Sequence, residues 1–207
     1  MTGPAPRVVL ASASPARLAT LRAAGVDPEV VVSGVEEQGV SAQSPADLAL
    51  VLADRKCAAV SSGVDVTASP VLVVGCDSVL ELDGAAYGKP ADAAAATARW
   101  QSMRGREGVL HTGHSLRLLA PAQAPRQVSA VASTLVRFAD LADDEIEAYV
   151  GTGEPLEVAG AFTLDGLGGP YVRGIGGDPH TVVGISLPLL RELVGELGFR
   201  WHSLWRV

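Results

Sequence analysis

The hydrophobic pattern divides the chain into short apolar runs, which predict strands, and stripes at three- to four-residue spacing, which predict helices. Continuous apolar runs at residues 8–11 and from Val71 onward predict buried strands, and residues 28–32 predict another. Alternating runs at 109–119 and 128–138 predict two longer antiparallel strands, and residues 171–175 a last one. We therefore expect a sheet of mixed sense.

Helical stripes with capping residues fill the intervals between these strands. Ser14 followed by Pro15 starts one helix, which Gly25 ends, and Ser44 starts a second that runs to about Ser61. The other predicted helices cover residues 91–103, 143–150 and 187–197. Asp143 or Asp144 is expected to cap the second of these. The succession predicts an α/β fold in which helices flank a mixed, twisted sheet, with residues 1–207 forming a single domain.

The composition of the chain excludes several classes of function. The chain has 207 residues, is 48% hydrophobic and carries a net charge of -7, so it has ample core and no basic surface for nucleic acid. No run is long enough for a membrane span or a signal peptide, and Cys57 and Cys76 lack metal-ligand spacing. We expect a cytoplasmic protein with free thiols and no nucleic-acid or membrane partner.

The apolar run from Val71 ends in a lone carboxylate, Asp77, before Asp83 and Gly84 turn the chain. Ligands of open α/β sheets bind outside the carboxyl ends of the strands, so an Asp at that edge is well placed for chemistry. The alternative is a carboxylate that only satisfies nearby backbone donors.

A serine-rich turn at 12–15 joins the first strand to the first helix. Its backbone N–H groups and the helix dipole favour an anion, and Arg17 in the first helical turn could bind a phosphate with two N–H groups. An ordinary capped helix with a surface arginine explains the same pattern.

Two lysines occupy unusual positions. Lys56 continues the buried stripe of the second helix, although its head could snorkel to solvent. Lys89 precedes Pro90 and suits a cation held across a groove, although most such lysines are exposed. Glu36 and Glu37 form an acidic pair that could bind a metal or be solvated.

Two further groups of residues have less direct interpretations. His111 and His114 lack a further ligand at metal-site spacing and are predicted to form hydrogen bonds. The glycines that follow Asp165 are not a Walker loop, because no Gly-Lys-Ser/Thr sequence follows them.

The chain resembles one family throughout. The motifs that carry the resemblance are VLASASPAR (9–17), Glu37, LADRK (52–56), GCDSV (75–79), GKP (88–90), HTGH (111–114), GEP with AGAF (153–162) and VVGISLPL (182–189). In this order they are similar to the motifs of the Maf-like nucleoside triphosphate pyrophosphatases. The resemblance implies an inosine-triphosphatase-like fold with two lobes around a deep groove, a homodimer, and metal-dependent hydrolysis of a nucleoside triphosphate to the monophosphate and pyrophosphate.

The resemblance also implies residue roles. Catalytic roles fall to Asp77, Lys56 and Lys89, and the divalent cation, Mg²⁺ or Mn²⁺, to Glu37 and Asp77. Asp77 could be the general base or a ligand that positions a metal-bound water. The residues expected to bind substrate are Ser12, Ser14, Arg17 and Asp165.

The chain departs from the family pattern at several positions. Ala16 replaces the first of two arginines, Ser78 a frequent Thr or Val, and Thr181 a frequent Asn. Asp165 stands where members that take unmodified pyrimidine nucleotides tend to show Gln, and its carboxylate favours a base that offers donors, such as guanine or a methylated purine.

Two other functions remain open at this point. The family has been associated with inhibition of septum formation, so the chain could be a nucleotide-binding regulator with little turnover. A thiol hydrolase that uses Cys76 is disfavoured, because strand alternation turns Cys76 and Asp77 to opposite faces.

Overall fold

The computed structural model describes residues 5–67 and 69–206. Its seven strands are β1 (Arg7–Leu10), β2 (Glu29–Val30), β3 (Val71–Leu82), β4 (Ala85–Tyr87), β5 (Glu107–Leu119), β6 (Arg126–Phe138) and β7 (Val172–Gly176). Its α-helices are α1 (Pro15–Ala23), α2 (Pro45–Ser61), α3 (Ala93–Met103), α4 (Asp143–Gly151), α5 (Pro179–Val183) and α6 (Leu187–Glu196). Four short 3₁₀ helices cover Glu154–Glu157, Ala159–Ala161, Gly169–Tyr171 and Trp201–Leu204.

All seven strands form one mixed sheet, as predicted. The order is β2-β1-β3-β5-β6-β7, with β4 paired to β3. β1 runs parallel to β2 and β3, and the helices α1 and α2 form the crossovers between these strands, whereas β3, β5, β6 and β7 pair antiparallel. None of the helices in the described ranges has the length and apolar character that crossing a membrane requires.

The long strand β3 has two different neighbours along one of its edges. β1 pairs with residues 71–74 of β3, and β4 pairs with residues 80–82. Between them, residues 75–79 pair with β5 on the other edge but with neither β1 nor β4. Because β1 is parallel to β3 and β4 is antiparallel to it, the carboxyl ends of both strands point into this gap.

The core divides into two lobes along the same strand. In the first lobe, α6 and the 3₁₀ helix Trp201–Leu204 pack on one face of the sheet, and α2 packs on the other. In the second lobe, α3 and α4 pack on the far half of β3, with Trp100 edge-on to Phe138 and Tyr149 at its centre. The gap in the edge of β3 lies where the two lobes meet.

The helices begin where their caps predict, with one exception. Ser14, Ser44 and Ser186 each accept a hydrogen bond from the backbone of the first turn, which fixes the starts of α1, α2 and α6. The prediction that Asp143 or Asp144 caps α4 was wrong, because the N-cap residue of this helix is Ala142. Glu145 accepts the Ala142 N–H at 2.9 Å, which is the bond that the third helical residue makes in a capping box.

Candidate active site

Asp77 does not end its strand as the sequence predicted. β3 continues through Leu82, and Asp77 lies in its middle, opposite Gly113 of β5. Asp77 nevertheless lies at the carboxyl ends of strands, although these are not the end of β3. It is in the gap into which the carboxyl ends of β1 and β4 point. The Ser12 turn approaches this gap from one side and Lys89 from the other.

Helix α2 brings a lysine to this carboxylate. Lys56 Nζ bonds to Asp77 Oδ1 and lies 2.6 Å from Glu37 Oε1. Lys56 and Asp77 are buried, with 9% and 6% of their surface exposed, whereas half of the Glu37 side chain is exposed. The ammonium group therefore bridges two carboxylates that lie far apart in sequence.

Two glycines allow this close approach of α2 to the sheet. A Cβ added at Gly75 would lie 2.5 Å from Ala53 O, and one added at Gly113 would lie 2.7 Å from Leu50 Cα. Both distances are too short for any side chain. Because Gly75, Asp77 and Gly113 share one face of the sheet, their arrangement places Lys56 of the same helix beside Asp77.

Burial raises the pKa of Asp77 above its ordinary value, and the positive charges of Lys56 and Arg17 oppose this rise only in part. A carboxylate with a raised pKa is a stronger base than a solvated one. Asp77 therefore has the electrostatic character expected of a general base at the start of a hydrolytic reaction.

The serine-rich turn after β1 is organised around Arg17. Its Nη1 donates to Ser12 Oγ at 3.1 Å, its Nη2 donates to Ser78 Oγ at 3.1 Å, and its Nε donates to the carbonyl of Gly184 at 2.7 Å. One N–H remains on each terminal nitrogen. Arg17 thus holds the turn, β3 and the loop before α6 together, and only its remaining N–H groups are available to a ligand.

Ser12 and Ser14 have different roles in this turn. Ser14 caps α1, while Ser12 Oγ accepts from the backbone N–H of Ser14 at 3.2 Å and from Arg17. Because both of these bonds use the oxygen as acceptor, the hydroxyl hydrogen of Ser12 stays free to donate to an anion.

Ser78 is a site residue whose role the sequence analysis did not identify. Its hydroxyl binds Arg17 and lies 2.9 Å from Thr112 Oγ1, which donates to the carbonyl of Thr181 at 2.8 Å. Ser78, Thr112 and Thr181 had been noted only as parts of motifs or departures from them. Nothing in their spacing shows that they form one chain of hydrogen bonds from Arg17.

Lys89 and Asp165 are both exposed, in contrast to the buried Lys56 and Asp77. The carbonyl of Gly88 accepts from Gly160 N at 3.1 Å and from Arg99 Nη1 at 2.6 Å, which fixes the backbone beside Lys89. Near Asp165, Glu154 accepts the N–H groups of Leu167 and Gly168 and so holds the glycine turn. Within the described ranges neither side chain has a hydrogen bond or ion pair, so both remain candidates for contact with substrate.

Cys76 is confirmed to face away from Asp77. It lies fully buried in the core under α6, and burial raises the pKa of its thiol to about 12. A neutral thiol sealed in an apolar core is a poor nucleophile, which removes the physical basis for a thiol hydrolase.

The donor set at the gap is compatible with a hard divalent cation. Glu37 Oε1 and Asp77 Oδ1 both contact the ammonium group of Lys56, so the two carboxylates lie close together, and carboxylates completed by water and phosphate oxygens are a usual Mg²⁺ environment. Within residues 5–67 and 69–206 no group of three or more His, Cys, Asp or Glu side chains converges, so the chain by itself offers no complete cage.

The family model described as Maf-like protein matches residues 7–197, which is most of the chain. The chain belongs to the Maf-like family.

Several relatives are similar over almost their whole length. Proteins called nucleoside triphosphate pyrophosphatase are 57% identical in Streptomyces avermitilis, with 98% of this chain and 96% of the relative covered, and 56% identical in Salinispora tropica, with 99% and 90% covered. One from Cutibacterium acnes is 47% identical, with 95% and 93% covered. A solved structure of a nucleoside-triphosphatase, or dITP/XTP pyrophosphatase, from Mycobacterium abscessus is 16% identical with a TM-score of 0.32, over 65% of this chain and 75% of that one.

Proposed function

We propose that this chain is a cytoplasmic enzyme that hydrolyses nucleoside triphosphates to the monophosphate and pyrophosphate with the help of Mg²⁺ or Mn²⁺. The observation that carries the proposal is the buried Lys56–Asp77 pair at the gap between β1 and β4, in a chain whose relatives carry the name nucleoside triphosphate pyrophosphatase. A homodimer, which the family resemblance implied, is part of the same proposal.

In the proposed reaction, Asp77 accepts a proton from a water that attacks the α-phosphorus. A new P–O bond forms to the water oxygen, the bond from the α-phosphorus to the bridging oxygen breaks, and pyrophosphate leaves. Lys56, Lys89 and the remaining N–H groups of Arg17 would stabilise charge on the phosphates, and Ser12 would donate its free hydroxyl hydrogen. A divalent cation held by Glu37 and Asp77 would supply further positive charge to the phosphate oxygens.

The first test is the substitution Asp77→Asn, which keeps the shape of the side chain and removes the base. We expect turnover to fall by about two to four orders of magnitude, the range for loss of a general base. The measurement is pyrophosphate release from a panel of nucleoside triphosphates, with thermal unfolding to confirm the fold. Near-wild-type turnover would remove Asp77 from the mechanism.

Chelation tests the cation separately. Excess chelator should abolish pyrophosphate release, and Mg²⁺ or Mn²⁺ should restore it. Full activity in excess chelator would contradict the metal-dependent part of the proposal. Tight nucleotide binding without pyrophosphate release, with the cation present, would instead support the regulator of septum formation.

Substrate choice is tested at Asp165. An ionised carboxylate accepts hydrogen bonds only, so we propose that it favours guanine or a methylated purine over thymine and uracil. One mismatched hydrogen bond corresponds to roughly a five- to hundredfold difference in kcat/KM. Asp165→Gln should move the ranking toward pyrimidines. An unchanged ranking, or dTTP and UTP as the best substrates of the wild type, would show that Asp165 only shapes the turn.

A further inference from the structure

Three polar side chains form a hydrogen-bonded row across neighbouring strands, on the face of the sheet that also carries Asp77. His111 of β5 lies between Glu81 of β3 and Ser133 of β6. His111 Nε2 is 2.9 Å from Glu81 Oε2, and His111 Nδ1 is 2.8 Å from Ser133 Oγ. The residues come from three different strands, so the row exists only in the folded protein.

The chemistry of the row fixes the direction of each hydrogen bond. A neutral imidazole carries one ring hydrogen, and because an ionised Glu81 only accepts, that hydrogen lies on His111 Nε2 and His111 Nδ1 is the acceptor. Ser133 Oγ therefore donates its hydrogen to the imidazole. A serine that donates to a histidine, which is itself held by a carboxylate, is the arrangement of an activated nucleophile, its base and the residue that orients the base.

Exposure follows the same division of roles. Ser133 is exposed, whereas His111, its direct partner on β5, has only 8% of its surface accessible. Ser133 lies just beyond the part of β6 that pairs with β7, residues 135–138, and next to Thr134, whose hydroxyl donates to the carbonyl of Asp178 at 2.9 Å.

We propose that Ser133, His111 and Glu81 form a second hydrolytic site, which acts on small carboxylic esters and is independent of the nucleotide chemistry. Ser133 Oγ attacks the ester carbonyl carbon, and its proton passes to His111 Nδ1. The bond to the leaving alcohol breaks, and the alcohol takes that proton. Water then attacks the acyl-serine, with His111 again as base, and releases the carboxylic acid. Glu81 acts only through His111 and is a positioning residue.

The test uses the full chain with a fluorophosphonate probe, located by mass spectrometry, and with p-nitrophenyl acetate as the ester. We expect the probe on Ser133 and steady release of p-nitrophenol. Both should fall by about a hundredfold or more in Ser133→Ala and His111→Gln, the range for general-base loss. Glu81→Gln should lose labelling, while Glu81→Asp should keep part of it at an unchanged melting temperature.

Ser129 is the matched control. It lies on the same face of β6, but its hydroxyl donates directly to Asp54 at 2.7 Å rather than to a histidine. Ser129→Ala should label like the wild type. Equal labelling of both serines, no label on Ser133, or labelling without ester turnover would overturn the proposal.

A reciprocal pair separates the two sites. Asp77→Asn should lose pyrophosphate release and retain labelling at Ser133, and Ser133→Ala should show the reverse. Loss of both activities in either folded variant would contradict their independence.

Discussion

At the scale of single residues, Arg17 illustrates how one side chain can be tied to several parts of a site. Its guanidinium contacts the turn after β1, the centre of β3 and the loop before α6, at the three distances given above. A fork of five N–H groups can satisfy three acceptors in different directions, which an ammonium group on a flexible stem cannot do in the same plane. Arg17 is therefore as much a structural residue as a candidate ligand.

Arg17→Lys is accordingly expected to be a severe change despite the conserved charge. It should lower the free energy of unfolding by about 1–3 kcal/mol, because buried acceptors lose their donors, and should reduce turnover as well. Urea unfolding and pyrophosphate release measure the two effects. Arg22→Lys on the same helix is the control, since the Arg22–Asp27 pair is exposed. Equal effects of the two substitutions would contradict the structural role of Arg17.

The sequence could identify most of these side chains but not their partners. Lys56 on a buried stripe and Asp77 after an apolar run were recognisable, because helix and strand periodicity show which face a residue occupies. Periodicity is local, however, and gives no information about pairs such as Lys56 with Glu37 or Arg17 with Ser78. Those contacts depend on how the strands are ordered in the sheet.

At the scale of elements, the position of α2 depends on the absence of side chains at Gly75 and Gly113. The backbone of α2 packs directly against these two glycines. This close packing brings Lys56 of the same helix into contact with Asp77. The geometry of the site is thus determined by the packing of a helix against a sheet.

Gly113→Ala should move α2 away from the sheet. Overpacking of this kind costs about 1–3 kcal/mol of stability. Displacement of Lys56 should lower turnover by about one to two orders of magnitude, as small misplacements of reacting groups do. Denaturant unfolding and pyrophosphate release would show both effects. Gly174→Ala on β7 is the control, because its added Cβ meets no atom within 4 Å. If the two variants behave alike, the close approach of α2 is unimportant.

The elements that the sequence analysis missed were short or interrupted by polar residues. β4 has three residues and α5 has five, too few for periodicity, although Asp178 before Pro179 is a cap signal that could have indicated α5. β3 was predicted to end at Asp77, because a lone carboxylate after an apolar run indicates the end of a buried strand. Here it marks the gap between the two neighbours of β3.

At the scale of the whole molecule, His114 connects the sheet to the last helix. Its Nε2 accepts the N–H of Ser186, the N-cap of α6, at 2.8 Å, and its Nδ1 lies 3.0 Å from the carbonyl of Thr112. Both bonds require a neutral ring that carries its hydrogen on Nδ1. Burial lowers the pKa of His114 from 6.5 to about 4.

The folded protein should therefore lose stability on acidification. Between pH 6.5 and about 4 the unfolded chain binds a proton that the folded His114 does not, so this contribution is present above that window and lost below it. From pH 7 to pH 5 the loss from this group is about 2 kcal/mol. Urea unfolding at the two pH values measures it. His114→Gln should remove this part of the pH dependence, and an unchanged slope would contradict the assignment.

The two lobes differ in how much of the chain must be synthesised before their cores can form. The second lobe is built from residues of the middle of the chain, from Leu80 to Phe162, with Val182 at its margin. The core of the first lobe joins Val8 to Leu190 and Leu204, and Arg206 N bonds to the carbonyl of Gly25. The core of the first lobe therefore forms only after residues 185–204 have been synthesised, whereas the core of the second lobe can pack once residue 162 has been made.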